Sequence, residues 1–135
     1  NMSRWMMWAL MGVTVGALVL AGCSGSSGVG PRVRARHMAP DIGRVDLYVI
    51  RNDQPGNPTS LDGLNPMFVG LQNGDVSQFA RRVAGDYELV FTHWDSHTVI
   101  ERDYLYLRRD RQITVRLEGT AANPAIGFNI VSVQP

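Results

Sequence analysis

Lysine is missing altogether, so all thirteen basic residues of the 135-residue chain are arginine. With Arg4 set aside, twelve Arg stand against twelve Asp and Glu. A body this close to neutral lacks the net positive field that captures nucleic acid, so nucleic acid is not an expected partner. Arginine-only usage is what a GC-rich genome produces, and by itself it does not argue for anion recognition. Cysteine occurs once, at Cys23. No intramolecular disulfide can form, and the fold must hold through its own core. Nothing after Cys23 shows a helical period. A nucleophile motif, a phosphate-cradling glycine loop and paired catalytic carboxylates are also missing, so the sequence points away from catalysis and calls for no dissociable cofactor.

What is present begins with an apolar run from Trp5 to Leu20 that follows Arg4 and ends in small residues before Cys23. That is the layout of a secretory signal peptide. The run is shorter than the roughly twenty residues that span a hydrocarbon core. Leu20-Ala21-Gly22-Cys23 resembles the lipobox of bacterial lipoproteins at all four positions. The resemblance implies a diacylglyceryl group on the Cys23 thiol, cleavage just before it and acylation of the new amino terminus. The expected organisation is therefore a signal peptide over 1–22, a lipidated cysteine with a Gly/Ser linker over 23–32, and a domain over 33–135. Several acyl chains hold a membrane stably where one is marginal, at about 0.8 kcal/mol per buried methylene. As a coil, the linker would keep the domain on the order of 15–20 Å from its anchor. Ser24 resembles the outer-membrane sorting choice of diderm lipoproteins, and a monoderm cell surface is the alternative address.

Beyond the linker, strand signals recur with turn residues between them, as expected of an all-β fold. Val33, Ala35 and His37 alternate with Arg32, Arg34 and Arg36, and Val45, Leu47 and Val49 with Asp46, Tyr48 and Ile50. Pro40-Asp41-Ile42-Gly43 turns the chain between them. Residues 51–66 carry Pro, Gly, Asn and Asp without a period and read as a long surface loop, the least constrained part of the domain. Met67–Leu71 and Val76–Arg81 flank an Asn-Gly turn and predict a hairpin. Gly85-Asp86 punctuates, and Tyr87, Leu89 and Phe91 then alternate with Glu88, Val90 and Thr92. A polar turn over His93–Thr98, a long strand over Val99–Leu107, a charged turn over Arg108–Arg111, and strands over Ile113–Glu118 and Ile126–Val133 complete the pattern.

Arg34-Ala35-Arg36-His37-Met38-Ala39-Pro40-Asp41, then Val45-Asp46-Leu47-Tyr48-Val49, resembles the opening of the secreted bacterial family called domain of unknown function 4397, which reads R-x-x-H-A-S-P-D-A-P and then V-D-V-Y. Phe68-Val69-Gly70-Leu71 with Gly74-Asp75-Val76-Ser77, and Ala84-Gly85-Asp86-Tyr87, resemble its later F-x-G-L, G-x-x-S and A-G-x-Y motifs. Met38, Ala39, Ile42 and Gly43 depart from the pattern. The resemblance implies an immunoglobulin-like or transthyretin-like antiparallel β-sandwich of about seven to eight strands, and no established activity.

Four groups of residues are candidates for function. On an extended strand His93, Asp95 and His97 share a side, and two imidazoles with a carboxylate suit Zn²⁺ or Fe²⁺; polar residues at a hairpin tip are the competing meaning. His37 with Asp41 would suit a base held by a carboxylate, against a buried histidine bonded to backbone carbonyls beside an aspartate that organises its turn. Arg32, Arg34 and Arg36, or Arg108, Arg109 and Arg111, would fork lipid phosphate or an acidic partner, although charge along a strand also blocks unwanted pairing. Trp94, Tyr104 and Tyr106 would stack on a sugar or anchor a protein contact unless they pack in the core. Tyr87 resembles a tyrosine corner.

The reading that follows is a lipid-anchored envelope β-sandwich acting as a non-catalytic binding module. Its expected partners are the membrane, through the acyl anchor, and an envelope or extracellular protein or glycan. The alternatives are a structural lipoprotein subunit docked into a larger envelope assembly such as a secretion system, and a metal-dependent enzyme using His93, Asp95 and His97.

Overall fold

Alternation of apolar and polar residues puts one set of side chains on each face of a strand, and two such faces must be buried against each other. The computed structural model describes residues 30–133; the leader, Cys23 and linker residues 24–29 lie outside them. Among the described residues there are eight strands and no helix: β1 (Arg32–His37), β2 (Val45–Arg51), β3 (Phe68–Leu71), β4 (Ala80–Arg81), β5 (Gly85–His93), β6 (Val99–Leu107), β7 (Arg111–Gly119) and β8 (Pro124–Ser132). They form an all-β sandwich of two four-stranded sheets, ordered β4-β1-β7-β8 and β3-β2-β5-β6.

The core lies between the sheets. Val33 and Ala35 of β1, Ile113, Val115 and Leu117 of β7, Leu47 of β2, Leu89 and Phe91 of β5 and Leu107 of β6 are essentially inaccessible. Each large side chain among them contributes about 1.5–3 kcal/mol of apolar burial. Phe68, Leu105, Ile126 and Phe128 pack around this centre.

Three features differ from the sequence expectation. First, β1 and β7 run parallel, Arg32 opposite Gln112 through His37 opposite Leu117, whereas every other strand pair is antiparallel. Second, 67–71 and 76–81 do not form a hairpin. β3 pairs with β2 in one sheet and β4 with β1 in the other, so the Asn-Gly turn carries the chain across the sandwich. Backbone bonds to β1 capture the segment after the turn: Gly74 N–H to the His37 carbonyl (2.8 Å), His37 N–H to Asp75 (3.0 Å) and Ser77 N–H to Ala35 (2.9 Å). Third, Gly85 and Asp86 belong to β5 rather than separating strands.

The 51–66 loop is also far from unconstrained, because it folds back over the outer face of the second sheet. Leu61 is buried there against Tyr48, Ile50 and Val90. Beside it, Glu88 has a fully inaccessible side chain and is ion-paired with Arg102 of β6. The Glu88 carboxylate also accepts from Asn52 Nδ2 (3.0 Å) and from the Thr59 N–H (3.1 Å). A carboxylate held this way in a dry site fastens the loop to the sheet. In consequence both faces of β2 and β5 are covered, and Asp46 and Tyr48, outward by parity, are buried.

Candidate functional site

The fold gives His37 and Asp41 separate structural tasks. His37 is wholly buried; its Nε2 lies 3.0 Å and 2.8 Å from the Ile42 and Gly43 carbonyls, and its Nδ1 accepts from the Ala39 N–H at 3.2 Å. Both ring nitrogens are thus engaged by backbone, Nδ1 as acceptor and Nε2 facing two carbonyls as donor. Asp41, instead of organising its own turn, accepts from the Ala121 N–H at 3.0 Å and ties down the β7–β8 connection. No histidine–carboxylate pair forms there. The Tyr87 hydroxyl donates to the Val83 carbonyl at 2.7 Å, the turn-closing bond expected of a tyrosine corner.

The arrangement with the chemistry of a binding site surrounds Asp46. Its Oδ1 accepts from the Gly70 N–H at 2.8 Å and its Oδ2 from the Asp95 N–H at 3.0 Å. One buried carboxylate on β2 therefore holds both the β3 edge and the β5–β6 turn. Gly70 supplies what this requires on β3: it sits at a register shift against β2 and adopts φ 67°, a left-handed conformation suited to a bulge residue. Asp95, at φ 56°, is the one non-glycine residue in that region among the described residues, and aspartate tolerates it better than most. The Trp94 N–H donates to the Arg44 carbonyl (3.1 Å), and Ser96 Oγ accepts from the Thr98 N–H (3.1 Å), completing the turn.

Between the turn, β2 and the end of the 51–66 loop lies an open groove of about 350 Å³, lined by Asp46, Tyr48, Leu64, Pro66, Trp94 and Asp95, with Asn65, Val69, Ser96 and His97 at its sides. Trp94 is half exposed, and the Arg44 guanidinium lies over its ring, 4.8 Å from the centroid. His97 meets the Tyr48 ring edge-on and comes within 3.4 Å of Asp62 Oδ1. Burial, with the charges of Asp46 and Asp95, raises the Tyr48 hydroxyl above its ordinary value, so it stays a neutral donor. The groove thus offers aromatic and aliphatic walls, one hydroxyl donor and carboxylate acceptors.

The expected binding and metal residues are only partly assembled. His93, Asp95 and His97 do not share a side, because the positive φ of Asp95 breaks the extended parity on which the expectation rested. Among the described residues no group of three or more His, Cys, Asp or Glu is placed to hold a metal ion. Trp94 precedes the start of β6 at Val99, whereas Tyr104 and Tyr106 lie in its second half and Arg108 and Arg109 just beyond its other end at Leu107, roughly 25 Å along the strand from Val99. Tyr104 and Tyr106 do lie on the outer face, opposite Glu88 and Asp86, with Tyr106 well exposed. Arg108 and Arg109 occupy the exposed β6–β7 turn, and Arg111 pairs with Asp110 at 2.8 Å. Asp46, Tyr48 and the 64–66 segment had no place in the sequence-derived site. The only sign was an aspartate alternating within an apolar strand. No family model matches the chain, nor does any curated protein or solved structure, so the family resemblance rests on its motifs alone.

Proposed function

We propose that this chain is a non-catalytic binding module of the bacterial envelope, tethered through an acylated Cys23, and that the groove beside Asp46 is where it takes its partner. The observation that carries this reading is the double engagement of Asp46, which fixes two separate segments around the groove before any ligand arrives. Preorganisation of this kind spares a binding site the cost of ordering its loops. The neutral Tyr48 donor, the Asp95 carboxylate and the half-exposed Trp94 suit a hydrogen-bond-donating group of an envelope or extracellular partner, a sugar hydroxyl or a basic side chain. Loss of the leader would remove Trp5 and Trp8 and leave Trp94 as the sole tryptophan. Emission from the processed chain therefore reports on the groove directly. Titration with neutral oligosaccharides and with arginine-containing peptides is expected to shift Trp94 emission in one of the two series, and Asp46→Ala to abolish the shift. No change in either series up to millimolar concentration would remove the groove as the binding site. The acyl anchor is checked separately, by an intact mass that starts at residue 23 and carries acyl chains.

A second reading, docking into a larger envelope assembly, is favoured by the contrast between the two long edge strands. On β6, Glu101 and Asp103 face inward opposite Phe91 and Leu89, and inward charge hinders addition of another strand. On β8, Ile130, Val131 and Val133 at or just beyond its end are exposed, with no such charge among them. Recovery from the membrane as a detergent-stable complex larger than the monomer would favour this reading, and a monomer on native gels would oppose it.

A further inference from the structure

The near-neutral total charge conceals a strong asymmetry between the two sheet faces. Val33, Ala35 and His37 point into the core, so Arg32, Arg34 and Arg36 lie on the outer face of the first sheet. Register places Arg81 of β4 beside Arg32, and Arg116 of β7 beside Arg36. Five guanidinium groups thus share one flat surface with a single carboxylate, Glu118, which is taken up by Arg116 at 3.1 Å. Among the described residues Arg32, Arg34, Arg36 and Arg81 have no acidic partner. The side chains are held low on the sheet. Arg34 lies over the Phe79 ring, 4.7 Å from its centroid, and bonds Thr114 Oγ1 at 2.9 Å. Arg116 lies across Gly127, where a Cβ would collide with its guanidinium. Exposed Phe79 and Val76 sit among these cations. On the opposite face Glu88 is paired with Arg102, Asp62 lies beside His97, and the Asp46 carboxylate is held by backbone N–H groups rather than by a guanidinium.

We infer that the outer face of the β4-β1-β7-β8 sheet lies on the anionic surface of a phospholipid bilayer, which turns the Asp46 groove away from the membrane. Two observations choose this occupant. A row of unpaired guanidinium forks interleaved with exposed apolar side chains complements a plane of lipid phosphates. The row also begins at Arg32, nine residues after Cys23, so an anchor at that cysteine keeps it within on the order of 15–20 Å of the headgroups. The inference rests on the anchored reading above, and its test separates the two.

The protein extracted from its native membrane is reconstituted into phosphatidylcholine vesicles and into vesicles of phosphatidylcholine with phosphatidylglycerol. Arginine modification by phenylglyoxal is then read residue by residue by mass spectrometry. Modification of Arg36 and Arg81 is expected to fall at least fivefold in the anionic vesicles relative to the zwitterionic ones, with Arg108 and Arg109 unchanged, and to recover in high salt. Equal modification in both vesicles, in a chain that floats with both, overturns the membrane-facing assignment and leaves the anchor standing. Failure to float with zwitterionic vesicles instead sinks the anchor. In that event, flotation with anionic vesicles that is lost in the R36Q/R81Q variant would still support the arginine face, and flotation that the variant leaves intact would overturn it.

Discussion

Replacing Arg102 with methionine tests whether the 51–66 loop is fastened by charge. The change leaves the Glu88 carboxylate in a site with no access to water, held only by Asn52 Nδ2 and the Thr59 N–H. Removing one partner of a buried ion pair costs about 3–5 kcal/mol. Because Arg102 is itself about a quarter exposed and two donors to Glu88 remain, the expected loss is near the lower end, about 3 kcal/mol. In a domain of this size each kcal/mol moves Tm by roughly 4–8 °C, so Tm should fall by about 12–24 °C. Glu88→Gln should cost less, about 1 kcal/mol, since its amide oxygen can still accept from Asn52 and Thr59 while Arg102 can reach water. The double variant should be more stable than Arg102→Met alone, because it leaves no stranded charge. Thermal unfolding of the four proteins in mild detergent, followed by near-ultraviolet circular dichroism, gives the cycle. Amide exchange over 51–66 shows whether the loop is released. An Arg102→Met protein within about 1 kcal/mol of its parent, with the loop amides still protected, would refute the reasoning.

Two further substitutions probe the groove. Asp46→Asn keeps one acceptor but turns an amide N–H₂ toward either the Gly70 or the Asp95 N–H, so it should destabilise by about 2 kcal/mol, nearly as much as alanine; it should also change Trp94 emission, and an unaltered spectrum with unaltered Tm would count against Asp46 as the organiser of the turn. Tyr48 holds its proton more tightly folded than unfolded, so its contribution to stability is complete below about pH 10 and is lost as pH rises from there through the raised folded value. Tyr48→Phe should lessen the alkaline fall in Tm between about pH 9 and pH 11, and identical falls in the two proteins would contradict the raised value.

The strands were legible because their signal is local. Val33, Ala35 and His37, or Tyr87, Leu89 and Phe91, declare an inward face through alternation alone, and all six are buried. The Tyr87 corner and the structural role of His37 followed from the same local cues. Partner choice did not follow. An Asn-Gly pair predicts a reversal, yet whether residues 76–81 return beside β3 or join β1 depends on contacts made by residues forty positions away. The loop failed for a related reason, since its composition is that of exposed chain and a single leucine, Leu61, with one glutamate–arginine pair supplies the burial. The expected metal triad depended on extended geometry through Asp95, and one positive φ removed it. The charge balance is the same lesson in electrostatic form: a total near zero was correctly counted, while register alone sorts Arg32, Arg34, Arg36, Arg81 and Arg116 onto one face.

The loop, the groove and the charged face are physically connected. Covering β2 and β5 on their outer side is what buries Asp46 and Tyr48, and only in a poorly hydrated setting does one aspartate become strong enough to order two backbone segments. The cover is held by Glu88, whose compensating charge comes from β6, so the edge strand that begins at the groove's turn also locks the loop that forms its wall. Disturbing that pair should therefore reach the groove through residues 64–66, whereas the arginine face, built on strands that share no backbone pairing with β2, β5 or β6, should be left in place. The arginine face and the groove thus belong to opposite sheets of one sandwich, each alterable without the other.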